Sequence, residues 1–468
     1  MDHSKTLTFR GGVAVSALPM VFFIIWAITI CLSGAPDVKG LALGIILGLA
    51  LAMLLVKGNR WDYCEAIYTG MANRIGTVTV VAWLWAGMFA QVLRSGGLVD
   101  GLVWLGMSSN VNGGMYTGLT FLLAALFSSA IGTGYGTTVA FCTLMYPAGI
   151  ALGADPVFMF GAILSGAAFG DNLAPVSDTT IVSATTQETD IPGVVRSRFK
   201  YAITAAVPAL LLYSLMGGAD SNAQLANQEM TQNVSPLGLI LLVPFALVIY
   251  LAMRRHHIIV AITVGLVTAI PIIIISGLGS FSDIVAINKG EGTLDGALTD
   301  GIGGYVDMAV LTLLILSASH IMRVGGAFDK IKEIAFRFIQ DSARRAELVI
   351  CGFVATLNVF ITVNTAAEIA AAPMVADIGK KLNIHPYRRA NLLDAITSAL
   401  GYIFPWGGGV LIGYVTLSNL TDSYPSLPVP NPTDVWAFVF HGWFLVLVMF
   451  GAAFTGLGRE TQVNQKDS

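Results

Sequence analysis

"FAQVLRSGGLVDGL" at residues 89–102 returns as "ASHIMRVGGAFDKI" at 318–331, with Arg, Gly-Gly and Asp in register at an offset of 229 (94 to 323, 96 to 325, 100 to 329). Further on, "GADPVFMFGAILSGAAFGDNLAP" and "NIHPYRRANLLDAITSALGYIFP" align through their prolines at an offset of 230 (156 to 386, 175 to 405). One near-constant offset over this distance marks an internal duplication. The first half is expected over 1–216, including the N-terminal helices, and the second over 237–468, with the polar "GGADSNAQLANQEMTQNVSP" (217–236) as linker.

The medium in which these halves fold is set by composition. Of 468 residues, 55% are apolar and 11% charged, outside the range of soluble globular chains. Runs such as "VAVSALPMVFFIIWAITICLSG" (13–34) and "HIIVAITVGLVTAIPIIIISGLG" (257–279) have the ~20-residue length that a helix needs to cross a bilayer. About ten to thirteen such runs recur along the chain. The expected fold class is therefore an all-α polytopic membrane protein. The first run is too long for the apolar part of a signal peptide and is followed by others, so it is read as a retained helix. Cys31, Cys64, Cys142 and Cys351 stand singly in or beside apolar runs and read as small core residues.

Basic residues gather at Lys5 and Arg10, in "KGNRWDY" with Arg74, in "RSRFK" (196–200), in "RRHH" (254–257), and over 323–345. The stretches 217–235, 279–304 and 417–434 together hold one, Lys289. By the positive-inside rule both termini are cytoplasmic, in a multi-pass protein of the inner (cytoplasmic) membrane. The segment ending at Arg94 begins at the basic "KGNR" side, whereas its counterpart ending at Arg323 runs into the largest basic loop. The two halves are thus inverted with respect to each other. Inverted repeats are an architecture of secondary transporters, with a site near the midplane built from broken helices.

"SGAAFGDNLAPVSDTTIVSATT" (165–186) is where such a break is expected. Pro175 removes a backbone donor, so the helix should end near Gly170 to Pro175. Carboxylates and unpaired backbone groups at membrane depth are costly unless they line a cavity or bind something. Asp171, Asn172, Ser177, Asp178 and Thr179 offer mainly oxygen ligands, which suit hard cations such as Na⁺. The low dielectric penalises an ionised carboxylate, so a proton and a sodium ion can compete for one acid. Asp171 and Asp178 are the Na⁺ candidates.

These residues resemble a known family. "FGDNLAPVSDTT" is similar to the Gly-Asp-x-x-x-Pro-x-Ser-Asp-Thr-Thr signature of the NhaC-type sodium/proton antiporters of the ion transporter superfamily, matched at Gly170, Asp171, Pro175, Ser177, Asp178, Thr179 and Thr180. The family often has Lys after the first Asp and Ser before the Pro; Asn172 and Ala174 stand here. The resemblance covers nearly the whole chain and implies re-entrant hairpins, unwound helices, cation coupling and a homodimer.

Three further constellations are candidates. "IGTGYGTTVAF" (131–141) crowds Thr133, Thr137 and Thr138 among glycines, as a hairpin tip or helix break would, although a small-residue packing seam reads the same way. In "ITVNTAAEIAAAP" (361–373) Asn364 and Glu368 share a helix face, and the pair Asn364, Thr365 resembles the hairpin-tip ligands of the superfamily. Asn391, Asp394, Thr397 and Ser398 form one polar stripe, which must face protein or a water path. Trp406 reads as a packed turn or an aromatic substrate clamp. Arg94 and Arg323 read as helix-end anchors, and His320 as a core histidine or a proton relay.

The chain has no phosphate-binding Gly-rich Lys loop, no HExxH and no serine elbow, so neither an ATP-driven pump nor a hydrolase is expected. No organic cofactor and no nucleic-acid partner are expected. The reading is sodium/proton antiport with Na⁺ and H⁺ as partners. The alternative is sodium- or proton-coupled transport of a small organic solute, such as an amino acid or carboxylate.

Overall fold

The computed structural model describes residues 6–33, 37–219, 234–254, 256–290, 292–339 and 342–459. Among the described residues the chain is mostly helical, with two short antiparallel strand pairs, Thr8–Phe9 with Val56–Lys57 and Ala286–Asn288 with Thr293–Asp295. Among the described residues eight helices are long and apolar enough to cross a bilayer, or nine if the pair Pro432–Phe438 and Phe440–Thr455, bent by 50°, counts as one span. That is fewer than the ten to thirteen apolar runs in the sequence. The rest of those runs fold as shorter helices, such as Val38–Leu54, Leu98–Ser108 and Gly408–Leu420, or as helices that carry too many polar residues to pass as simple spans. Most of the linker (220–233) and both chain ends lie outside the described residues.

Burial separates centre from rim. The most apolar 18-residue stretch of Pro156–Thr186 is 83% buried, whereas Pro236–Met253 and Ile258–Ile275 are buried over about a third of their length or less. The most apolar helices therefore face outward and the more polar ones lie inside, the arrangement expected when lipid is the solvent.

Helix starts recur at one spacing. Gly113 and Ala343, Gly134 and Asn364, Pro156 and Pro386, Asp178 and Gly408 each open helices 230 residues apart. Local chemistry repeats with them. Gly97 and Gly326, with φ of 81° and 82°, cap the helices Leu98–Ser108 and Ala327–Phe336 in the left-handed conformation, which glycine adopts without steric cost. Asp100 and Asp329 then fall in the first turns, where a negative charge meets the positive end of the helix. The Arg-Gly-Gly-Asp pattern is thus a turn of defined shape used twice. Arg94 bonds to Gln91 and lies over the Tyr424 ring, while Arg323 reaches Nδ1 of His320 at 2.9 Å.

Asp155 accepts from the amides of Val157 and Phe158 and so starts Pro156–Leu173; His385 does the same for Tyr387 at the start of Pro386–Leu400. The helices Gly113–Ile131 and Gly134–Ala151 form one hairpin, and Ala343–Phe360 and Asn364–Lys381 another. Elsewhere a buried ion cluster ties the helix Ala343–Phe360 to its neighbours: Glu347 pairs with Arg388 at 3.0 Å and with Arg459 at 2.9 Å.

Candidate functional site

The break in the central segment falls at Ala174–Ser177, between the helices Pro156–Leu173 and Asp178–Thr186. It folds the chain back so that Ser177 Oγ donates to Oδ1 of Asp171 at 2.7 Å. Ser177 Oγ also stands 3.0 Å from Thr179 Oγ1, whose hydroxyl donates to the main-chain oxygen of Asp171 at 3.4 Å. The second half supplies the other side. Asn364 Nδ2 and the Tyr402 hydroxyl donate to Asp171 Oδ2 at 3.3 and 3.2 Å. Tyr135, from the tip of the first hairpin, donates to Asn364 Oδ1 and to the Thr362 carbonyl, both at 3.4 Å.

The two hairpin tips cross at this carboxylate with no room to spare. A methyl group on Gly134 would overlap the Tyr402 hydroxyl, and one on Gly401 would overlap the Asn364 amide. Asp171, Ser177 and Asn364 are buried. Carboxylate and hydroxyl oxygens together make a hard donor set that suits Na⁺, and the Asn364 amide presents its nitrogen to Asp171 and its oxygen to Tyr135.

A cavity of about 500 Å³ opens from Asp171, Thr133 and Asn364 past Trp83 and Tyr135 toward His257. It shares Val78, Asp178 and Thr365 with a second cavity of about 780 Å³, whose wall carries Arg74, His320, Arg323 and Lys332. Asp178, expected beside Asp171 as a sodium ligand, is exposed and lines both cavities, so it stands at the mouth. Thr133 caps the helix Gly134–Ala151 by accepting from the Gly136 amide.

Other candidates are placed differently. Thr137 and Thr138 donate to the carbonyls of Thr133 and Gly134 in their own helix, and Thr397 to those of Leu393 and Asp394. Asp394 is wholly buried and paired with Arg198, itself wholly buried. Ser398, Ser183 and Thr180 donate to the same carboxylate at 2.6, 3.3 and 3.4 Å. Arg198 further donates to the Asn172 carbonyl at 2.6 Å, and to Ser183 Oγ and Asn391 Oδ1, both at 3.2 Å. Asp394 is therefore the counter-ion of an arginine. The side chains of Asn172 and Glu368 are fully buried, with no polar side-chain atom of either hydrogen-bonded among the described residues. Trp406 bonds through Nε1 to the Val359 carbonyl and stacks on Phe404, a packing role.

Sequence reading missed Arg198, Tyr402 and Tyr135 as site residues. For Arg198 a signal exists: Val194, Tyr201, Ala202 and Ala205 are buried around it at helical spacing, so the arginine lies on the inner face of its helix.

The profile of the Na⁺/H⁺ antiporter family matches residues 6–218 and 218–443. The chain belongs to the Na⁺/H⁺ antiporter family. Membership makes it a membrane transporter, and the site described above is that of one family member. Among similar proteins, the Na⁺/H⁺ antiporter NhaC of Alkalihalophilus pseudofirmus is 24% identical over 87% of this chain and 88% of its own length. The arginine/ornithine antiporter ArcD of Halobacterium salinarum is 24% identical over 86% and 89%. The malate-2H⁺/Na⁺-lactate antiporter of Bacillus subtilis is 28% identical over 60% of this chain, and the match spans 62% of that relative's length. The chain is thus similar to a relative named for inorganic cargo and to relatives named for organic cargo.

Proposed function

We propose that the protein exchanges sodium for protons across the cytoplasmic membrane, with the sodium ion held at Asp171. The observation that carries this reading is a single buried carboxylate whose side-chain donors come from both halves of the chain and which opens to a cavity. When sodium arrives, the hydroxyl oxygens of Ser177 and Tyr402 are already within hydrogen-bond reach of the acid, and the Asn364 amide, whose nitrogen faces Asp171, turns its oxygen to the ion. Na⁺ replaces these hydrogens as the partner of the carboxylate. Thr133, Thr365 and Asp178 line the approach, and Asp178 raises the local cation concentration at the mouth.

The cavities widen toward Arg74, His257, Arg323 and Lys332. That is the basic and hence cytoplasmic side by the positive-inside rule, so this form opens inward. Release to the other side follows when one half moves against the other. The matched helix starts 230 residues apart support two halves of common origin, and inverted halves and a homodimer belong to the same proposal.

The test is purified protein in liposomes that enclose a pH-sensitive dye, given a sodium pulse outside. Sodium-dependent proton flux in the wild type and none in Asp171→Asn is the expected result; equal flux in the variant sinks the assignment. A second reading is favoured by cavity size. A cavity of about 500 Å³ whose wall includes the Trp83 and Tyr135 rings holds far more than one ion and suits a small organic solute. Sodium-stimulated uptake of a carboxylate or amino acid, without proton flux in the absence of solute, decides for that reading.

A further inference from the structure

Sodium at Asp171 leaves one buried acid without a role. Glu368 lies one turn along the helix Asn364–Lys381 from Asn364, the residue that donates to Asp171. It is fully buried, and neither carboxyl oxygen has a hydrogen-bond partner among the described residues. The charged groups that face it are Asp394 from Pro386–Leu400, Arg198 from Ile191–Met216 and Asp171 from Pro156–Leu173; the helix Asp178–Thr186 presents Ser183.

Asp171 and Glu368 are thus opposites. Three side-chain donors converge on Asp171, and such an acid can remain ionised in a protein interior. No such set surrounds Glu368: the Ser183 hydroxyl that faces it is bonded to Asp394 and to the Thr180 carbonyl, its two acidic neighbours oppose a further negative charge, and its arginine neighbour is already paired with Asp394. An unpaired buried carboxylate is far costlier than a buried neutral acid.

We infer that Glu368 carries the transported proton while Asp171 carries the sodium ion, so the two cations use different carboxyls and meet only through their fields. This rests on the sodium/proton reading of the Asp171 site. Sodium on Asp171 cancels the negative charge that favours a proton on Glu368. The O–H bond of Glu368 then breaks, the electron pair stays on the carboxylate, which Arg198 faces, and the proton passes to water in the larger cavity, whose wall includes Thr365 and Ile369 on either side of Glu368. Loss of sodium reverses each step. Formal charge agrees: Asp171, Glu368 and Asp394 against Arg198 sum to minus two, and either one sodium ion or one proton brings the site to minus one. One-for-one exchange leaves the charge of the moving site unchanged.

The test is sodium binding by calorimetry on purified protein across pH, together with proton flux and exchange of radioactive sodium in liposomes. In the wild type, apparent sodium affinity rises about tenfold per pH unit where one proton leaves per sodium bound. Glu368→Gln is expected to bind sodium with an affinity that no longer depends on pH, to exchange sodium for sodium, and to drive no proton flux. Glu368→Asp restores the slope, and Asp171→Asn binds no sodium at all. The inference is overturned if Glu368→Gln keeps the wild-type slope and proton flux, or if it is folded yet binds no sodium. A wild type without any slope overturns the antiport reading itself, and this one with it.

Discussion

Replacing Asp394 with Asn leaves Arg198 without its counter-ion where both side chains are wholly buried. The guanidinium keeps the Asn172 carbonyl at 2.6 Å and the oxygens of Ser183 and Asn391 at 3.2 Å, which satisfy hydrogens but not charge. Breaking one partner of a buried pair costs about 3–5 kcal/mol, roughly two to four orders of magnitude in the ratio of folded to unfolded protein. Arg198→Met should fall at the lower end of that range, because Asp394 retains three hydroxyl donors. The double variant Arg198→Met with Asp394→Leu removes both charges, and an apolar pair of similar volume is often neutral or better. Its loss is expected to be at least about 2 kcal/mol smaller than the sum of the single losses, a coupling within the range of residues in contact. Equilibrium unfolding in detergent micelles measures all three. The reasoning fails if Asp394→Asn costs less than about 1 kcal/mol or if the two single effects simply add, since either result means that water reaches the pair.

Gly401→Ala pushes a methyl into the Asn364 amide and should weaken sodium binding by about tenfold or more, the effect of displacing one hydrogen-bond partner of a charged group; unchanged affinity would show that Asn364 is not part of the shell. Ser177→Ala removes the 2.7 Å bond to Asp171, worth about 1.5–3 kcal/mol to a charged acceptor, so sodium affinity should fall roughly 10- to 100-fold in the same calorimetric assay. Before the helix Ile191–Met216, Asp190 accepts from the Tyr387 hydroxyl and from the Gly193 amide, and these hold its carboxyl below the usual carboxylate range. A lowered value stabilises the fold above the ordinary range and fails only as pH falls through the lowered one. Hydrogen exchange at the Gly193 amide should therefore show the same structural protection, corrected for the intrinsic exchange rate, at neutral pH and at about pH 5; loss of protection between them counts against the contact.

The spacing of the main helices was legible as a numerical offset in the sequence. The 229–230 offset read from Arg-Gly-Gly-Asp and from two prolines is also the spacing of four helix starts. Asp171 and the break after it were legible because an acid and a proline at the end of an apolar run violate what lipid permits. The partners of Asp171 were legible only in part. Asn364 stood in register with the first hairpin, but a tyrosine in an apolar run reads as core, so Tyr402 and Tyr135 gave no sign. Thr137, Thr138 and Thr397 illustrate the converse. A hydroxyl on a helix can always turn back to its own carbonyls, and these three do so. Arg198 was hidden by its company, since "RSRFK" has the composition of a cytoplasmic basic stretch. Arg196 and Lys200 are exposed, as that composition suggests; Arg198, two residues from each, is not.

Ser177 approaches Asp171 from one half of the chain, while Asn364 and Tyr402 approach from the other, so neither half owns the site. In the proposed movement of one half against the other, Asp171 parts from two of its three side-chain donors. With sodium on Asp171 and the proton on Glu368, as proposed above, a site that travels with either cation carries one net negative charge, whereas an empty one carries two in a medium that penalises each. Idle return, which would short-circuit the ion gradient, is thus held back by uncompensated charge, and tight coupling needs no separate latch.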